Sequence, residues 1–179
     1  MKTSYLLHAS IILALVIHSS PSASAKSTIE HWGDMTQVIV PAYALGMAMQ
    51  EDDWEGALHF GYSFAAMQAS VIGLKFLIHE ERPDGSNNRS FPSGHTAAAF
   101  SGATFIHKRY GIERAIVPYA LAGFTGYSRV YAKKHYWHDV VAGAAISGLF
   151  TWIFVDDYHN NVQLLVSPNS VAVEFKMEF

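Results

Sequence analysis

The chain has 179 residues, half of them apolar and 15% charged, with a formal net charge of -3. That is enough for one domain with its own core and too little for two, and the lack of a basic surplus argues against a nucleic-acid partner. With no cysteine in the chain, disulfides, thiolate nucleophiles and cysteine-held metals are excluded.

The chain opens on an export pattern. Lys2 precedes an apolar run, LLHASIILALVI at 6–17, and SSPSASA follows with small residues at Ala23 and Ala25. The pattern predicts a signal peptide over 1–25, cleaved after Ala25. An uncleaved anchor is the competing reading, but the run is short for a span of about 20 residues. Export without cysteine fits a bacterial periplasm. A helical domain is expected over 26–160 and a β-hairpin over 161–179.

After the signal, AKSTIEHWGD reads as a polar lead-in. Five apolar segments of helical character then follow, at 35–50, 54–79, 95–110, 114–130 and 138–158. Polar breaks at 51–53, 80–94 and 111–113 separate them. Asp53 is a predicted N-cap for the second helix and Ser93 for the third. The fold class is therefore all-α, a bundle of about five helices. The tail alternates: Val171, Val173, Phe175, Met177 and Phe179 share one side, after turn residues 167–170. That predicts two short strands whose apolar stripe must be covered. Mean hydropathy is modest, +0.13, and most segments are short for spanning. The reading is a periplasmic domain that rests on a membrane surface, with a fully integral one as the alternative.

Three groups carry chemistry. Lys75 precedes Arg82-Pro83 in KFLIHEERP; Pro92-Ser93-Gly94-His95 follows; SRVYAKKHYWHD holds Arg129, His135, His138 and Asp139. Lys75, Arg82 and Arg129 are cations in or beside apolar segments, and a phosphoryl group in transfer needs such charge around its oxygens. Arginine's planar fork suits two of those oxygens at once. Ser93 and Gly94 open a helix whose N-terminus offers N–H groups to a phosphate. Of His95 and His135, one can attack phosphorus and the other protonate the leaving oxygen. If 135–139 is helical, Asp139 shares a face with His135 and cannot easily reach His138.

These motifs, in this order over 75–139, resemble the type 2 phosphatidic acid phosphatase family, which includes lipid phosphatases, bacterial class A acid phosphatases and vanadium haloperoxidases. The resemblance implies that His135 is a nucleophile forming a phosphohistidine, that Asp139 orients it, and that His95 is the general acid and later activates water. It implies phosphate binding by Lys75, Arg82, Ser93, Gly94 and Arg129. The expected activity is a metal-independent, cofactor-free phosphatase acting on a phosphorylated small molecule or a lipid. A vanadium-dependent haloperoxidase and a non-enzymatic envelope protein are the alternatives. A His135–His138–Asp139 metal site is the rival reading of the third motif; it leaves the three cations unexplained.

Overall fold

A computed structural model of the chain describes residues 23–158, 162–167 and 170–175, with side chains from 28 to 158. Five helices follow in order: α1 (Ala23–Gln50), α2 (Trp54–Leu77), α3 (Gly94–Tyr110), α4 (Ile112–Tyr131) and α5 (Trp137–Phe154). The all-helical expectation holds, and the bounds of α2 to α5 fall close to those expected. The lead-in does not hold. Residues 25–34 are the first turns of α1 rather than a polar approach to it. Residues 1–22 of the expected 1–25 signal peptide lie outside the described residues, and 23–25 are the start of α1. Beyond α5 the backbone of Val162–Ser167 runs antiparallel to Ser170–Phe175. The turn at 168–169 and every side chain of the pair lie outside the described residues, so what its apolar stripe faces remains an expectation.

Helix α3 is the axis of the bundle. Its run of small residues, Ala97, Ala98, Ala99, Ser101, Gly102 and Ala103, is buried. Small side chains let neighbouring backbones approach closely, and a Cβ at Gly102 would fall 2.7 Å from the Val40 carbonyl of α1. The core around α3 has a large-residue end built on Met47, Phe60, Phe105 and Ile106, and a smaller cluster of Met67, Val71 and Ala97 toward the other end. Buried hydroxyls are paired between helices: Thr36 with Thr125 at 2.7 Å, and Thr104 with Thr151 at 2.8 Å. Pairing removes the cost of burying them.

At the large-residue end, Asp53 caps α2 as expected, accepting from Gly56 N–H at 2.8 Å. The same carboxylate takes two bonds from Arg109, each 2.7 Å, and one from Tyr110 at 2.8 Å. Both charges are buried. Burial pushes the Asp53 carboxyl up, but these donors outweigh it and hold it below its ordinary value. A forked, fully bonded pair of this kind is costly to break from one side, because the survivor is left charged in the core. Arg109→Met is therefore expected to destabilise the fold by about 3–5 kcal/mol, read as a lower urea midpoint. Because the folded carboxyl is depressed, the wild-type lock contributes fully above the ordinary carboxylate range and fades as pH falls through the folded value. The variant should lose that component of acid sensitivity.

Candidate active site

The three motifs meet where α2 and α4 end and where α3 and α5 begin. Ser93 caps α3, its Oγ accepting from Thr96 N–H at 3.4 Å. Its own N–H donates to the Asp139 carbonyl at 3.0 Å, which ties the second motif to the third. A Cβ at Gly143 would fall 2.5 Å from the Ser93 carbonyl, so glycine is what admits α5 to this position.

Asp139 is fully buried and collects the site. Its Oδ2 accepts from Ser90 Oγ at 2.5 Å and from Tyr136 N–H at 2.9 Å, and it faces His135 Nδ1 at 3.3 Å. The pairing of His135 with Asp139 is present, but the helix invoked for it is not. α4 ends at Tyr131, and His135 sits in the connection just before Tyr136, the N-cap of α5. Asp139 is the third residue of α5, folded back onto the N-cap as in a capping box. The same turn overturns the expectation that Asp139 cannot reach His138. His138 Nε2 lies 3.2 Å from Asp139 Oδ1 and 2.7 Å from Glu80 Oε1. The hydrogen bond of His138 goes to Glu80, and Asp139 Oδ1 has no hydrogen-bond partner among the described residues. Among the described residues, the groups whose ligand atoms converge within 4.8 Å are Glu80, His138 and Asp139, not the His135–His138–Asp139 set.

A cavity of about 190 Å³ opens beside His135. Glu30, Asp34, Arg82, His95, Arg129, Lys134 and His135 line it. It brings together four of the expected site residues: Arg82, His95, Arg129 and His135. Arg82 lines the cavity, and its Nε is buried with no hydrogen-bond partner among the described residues; a guanidinium group on a cavity wall fits an anionic guest. Arg129 is held by its own chain: Nε donates to Ser128 Oγ at 3.1 Å, Nη1 to Asp34 at 2.6 Å and Nη2 to the Glu30 carbonyl at 2.6 Å.

The other expected phosphate ligands stand apart from this lining. Lys75 Nζ donates to the carbonyls of Arg89, Ser90 and Pro92 at 2.9, 3.2 and 2.6 Å. Its three N–H groups fasten the loop over 78–93 to α2. Ser93 Oγ is engaged by the hydroxyl and N–H of Thr96, and Gly94 is the first residue of α3. Two residues of the site, Ser90 and Asp34, lie outside the three sequence motifs. Ser90 precedes the Pro92-Ser93-Gly94-His95 motif by one residue, and nothing about a lone serine marks it. Asp34 belongs to the stretch read as a lead-in.

Burial is the largest influence on the site's titratable groups. It pushes His135 down to about 4, with Lys75 and Arg82 adding to the effect and Asp139 opposing it. Burial and Arg82 lower Lys75 to about 8. Burial, then Arg129, lower His95, while Asp34 pulls it back up. Burial pushes the Asp139 carboxyl up, but the donors Ser90 and Tyr136 N–H prevail and hold it below its usual value. The ground state therefore has a neutral His135 beside an ionised Asp139. With Nδ1–H toward the carboxylate, Nε2 carries the free lone pair.

The PAP2 superfamily model matches residues 56–163, more than half of the chain. The lipid A 1-phosphatase of Porphyromonas gingivalis is 36% identical over 124 residues, 68% of this chain but 23% of that protein. The chain thus spans about a quarter of that relative's length. The lipid A 4'-phosphatase of Helicobacter pylori is 28% identical over 153 residues, covering 79% of this chain and 77% of that one. Among solved structures, Aquifex aeolicus LpxE superposes with a TM-score of 0.64 at 23% identity, covering 83% of this chain and 93% of that one, a likeness of fold. The transmembrane PAP2-type phosphatidylglycerolphosphate phosphatase of Bacillus subtilis does so at 0.57 and 26% identity, with 86% of each chain covered.

An NMR titration of the His135 ring should place its midpoint near 4, against about 6.5 for a free histidine. Asp139→Asn removes the charge that raises it, so the midpoint should fall further. A midpoint that rises in this variant contradicts the arrangement.

Proposed function

The chain belongs to the PAP2 superfamily, and we propose that it is a metal-independent phosphatase that hydrolyses a lipid-linked phosphomonoester or diphosphate through a phosphohistidine. The observation that carries the reading is the cavity in which a neutral His135 backed by Asp139, a second histidine and two arginines converge.

In this mechanism His135 Nε2 attacks phosphorus in line with the leaving oxygen. The P–O bond to the leaving group breaks, and His95 gives its proton to that oxygen. Arg82 and Arg129 stabilise the charge on the equatorial oxygens. His135 becomes a cationic phosphoimidazole, and the ionised Asp139 compensates it across Nδ1–H. In the second step His95 takes a proton from water, whose oxygen attacks phosphorus. The P–N bond breaks, inorganic phosphate leaves, and both histidines return to their starting states. Lys75 serves by holding the loop that carries Arg82.

A lipid substrate is supported by exposed apolar side chains. Trp32 of α1, Phe76 and Leu77 at the end of α2 and Trp137 at the start of α5 are exposed, Leu77 at 78%, and each is close in sequence to a residue of the site. Exposed apolar groups beside a charged site suit a molecule with a phosphate head and an acyl body. They also suit contact with a membrane surface. Among the described residues no helix is long and apolar enough to cross a membrane. Export from the cytoplasm, with residues 1–25 as the signal, belongs to the same proposal and rests on the sequence. The relatives named above are phosphatases, so nothing specific favours a haloperoxidase or a non-enzymatic envelope protein.

Phosphate release from micellar phosphatidic acid and from soluble aryl phosphate, each with excess chelator, tests the reading. His135→Ala should abolish turnover with the fold intact, while His138→Ala should retain much of it. Equal loss in both folded variants, or activity that chelator removes and zinc restores, would overturn the assignment. The neutral His135 and the protonated His95 are needed together. With His135 near 4 and His95 held below its ordinary value, kcat/KM should peak on the acid side of neutrality.

Substituting two of these exposed residues gives a separate readout. Leu77→Glu with Trp137→Glu should lower turnover of the micellar substrate and leave the aryl phosphate rate nearly unchanged.

A further inference from the structure

We propose that Asp34 of α1 is a positioning residue for the proton donor, one carboxylate oxygen joining His95 and Arg129 at the edge of the phosphoryl cavity. Its Oδ1 lies 3.0 Å from His95 Nε2 and 2.6 Å from Arg129 Nη1. Asp34 comes before residue 56, where the family match begins. None of the three motifs contains it. The inference rests on the reading of His95 as general acid.

The geometry that delivers Asp34 is built into the packing. A Cβ at Gly33 would fall 1.8 Å from Ser128 Oγ and 2.8 Å from Arg129 Nη2. Glycine therefore lets α1 lie directly on the end of α4. One turn back, the Glu30 carbonyl accepts from Arg129 Nη2. One residue on from Gly33, Asp34 reaches across Arg129 to His95. One half-turn further, Thr36 bonds Thr125. The helix is pinned on both sides of the carboxylate.

The electrostatics give that carboxylate a task. His95 faces Arg129 from α4 and Arg82 from the loop over 78–93, and both drive its proton off. Lys134 and His135 also line the cavity. Of the acidic groups there, Glu30 reaches Lys134 at 4.0 Å, whereas Asp34 contacts the His95 ring. A general acid between two guanidinium groups would be a poor reservoir of protons without a local counter-charge. Asp34 supplies the counter-charge and fixes the ring's orientation. Its side chain is 45% exposed, so water screens it, and it can yield to an arriving phosphate without being trapped against it.

The test compares wild type, Asp34→Asn and Asp34→Glu, all as the full chain and all checked for unchanged melting. The His95 ring is titrated by NMR without substrate, and kcat/KM is measured across pH on a soluble aryl phosphate. Removing the negative charge lowers the His95 midpoint, because the charge favours the protonated ring. The alkaline limb of kcat/KM should then move to lower pH in Asp34→Asn, with turnover at neutral pH falling several-fold. Asp34→Glu should restore the limb at least partly. Inorganic phosphate should inhibit Asp34→Asn no more weakly than wild type, since a like charge has left the cavity. An unmoved His95 midpoint overturns the proposal while leaving the phosphatase reading untouched. A midpoint that falls while the alkaline limb stays in place overturns it differently: Asp34 then controls His95, but His95 is not the donor. An unmoved limb with weaker phosphate inhibition marks Asp34 as a structural prop for Arg129 and also overturns it.

Discussion

One buried carboxylate holds this site together. Asp139 has no exposure to solvent, and a charge in that position needs donors to offset its burial; Oδ2 takes them, while Oδ1 has no hydrogen-bond partner among the described residues. The donors that occupy Oδ2 come from different parts of the chain: Ser90 from the loop after α2, Tyr136 N–H from the cap of α5, and His135 from the end of the α4 connection. The Asp139 carbonyl takes the N–H of Ser93 as well. Satisfying one residue therefore fixes the second motif and the loop before it against the third. The requirement that stabilises the local fold is the same one that points a histidine nitrogen into the cavity.

Much of this was legible in the sequence because it depends on residue type. Apolar segments bounded by caps gave α2 to α5, and Asp53 and Ser93 do cap their helices. The cavity brings together Arg82, His95, Arg129 and His135 from motifs far apart in the chain. What stayed hidden depends on partners. Lys75 looks like a phosphate ligand, but its three donors are occupied by carbonyls. His135 and Asp139 are four apart, and a helix is the simplest reason for them to meet; a capping turn achieves the same contact by another path. The start of α1 was misread for a physical cause. A polar stretch reads as a lead-in, whereas the Asp34 carboxylate pairs with Arg129 and the Glu30 backbone carbonyl accepts from it.

The exterior repeats that division between type and partner. α1, α2, α4 and α5 expose large apolar side chains along their lengths, including Val38, Tyr43, Leu58, Tyr62, Ile116 and Trp152. Scattered exposed apolar groups are ordinary, but here they recur on each of those helices, and α3 alone is enclosed. The small residues that make α3 a good axis leave little room for bulk inside. Many of the large side chains on the surrounding helices point outward, beside an interior that mixes small residues with Met47, Phe60, Met67, Phe105 and Ile106.

The lock between Asp53 and Arg109 has a consequence for how the sequence can change over time. Neither residue touches the cavity, so substrate recognition places no demand on them. Yet a change at either one strands the other, a penalty comparable with a sizeable share of a small domain's whole stability. A lineage can cross that valley only by changing both within a short interval, or by first gathering stabilising substitutions elsewhere. Across relatives that keep this end of the bundle, positions 53 and 109 should therefore vary as a unit, with Tyr110 following them. Their covariation would report a shared mechanical ancestry while carrying no information about which phosphate is cleaved.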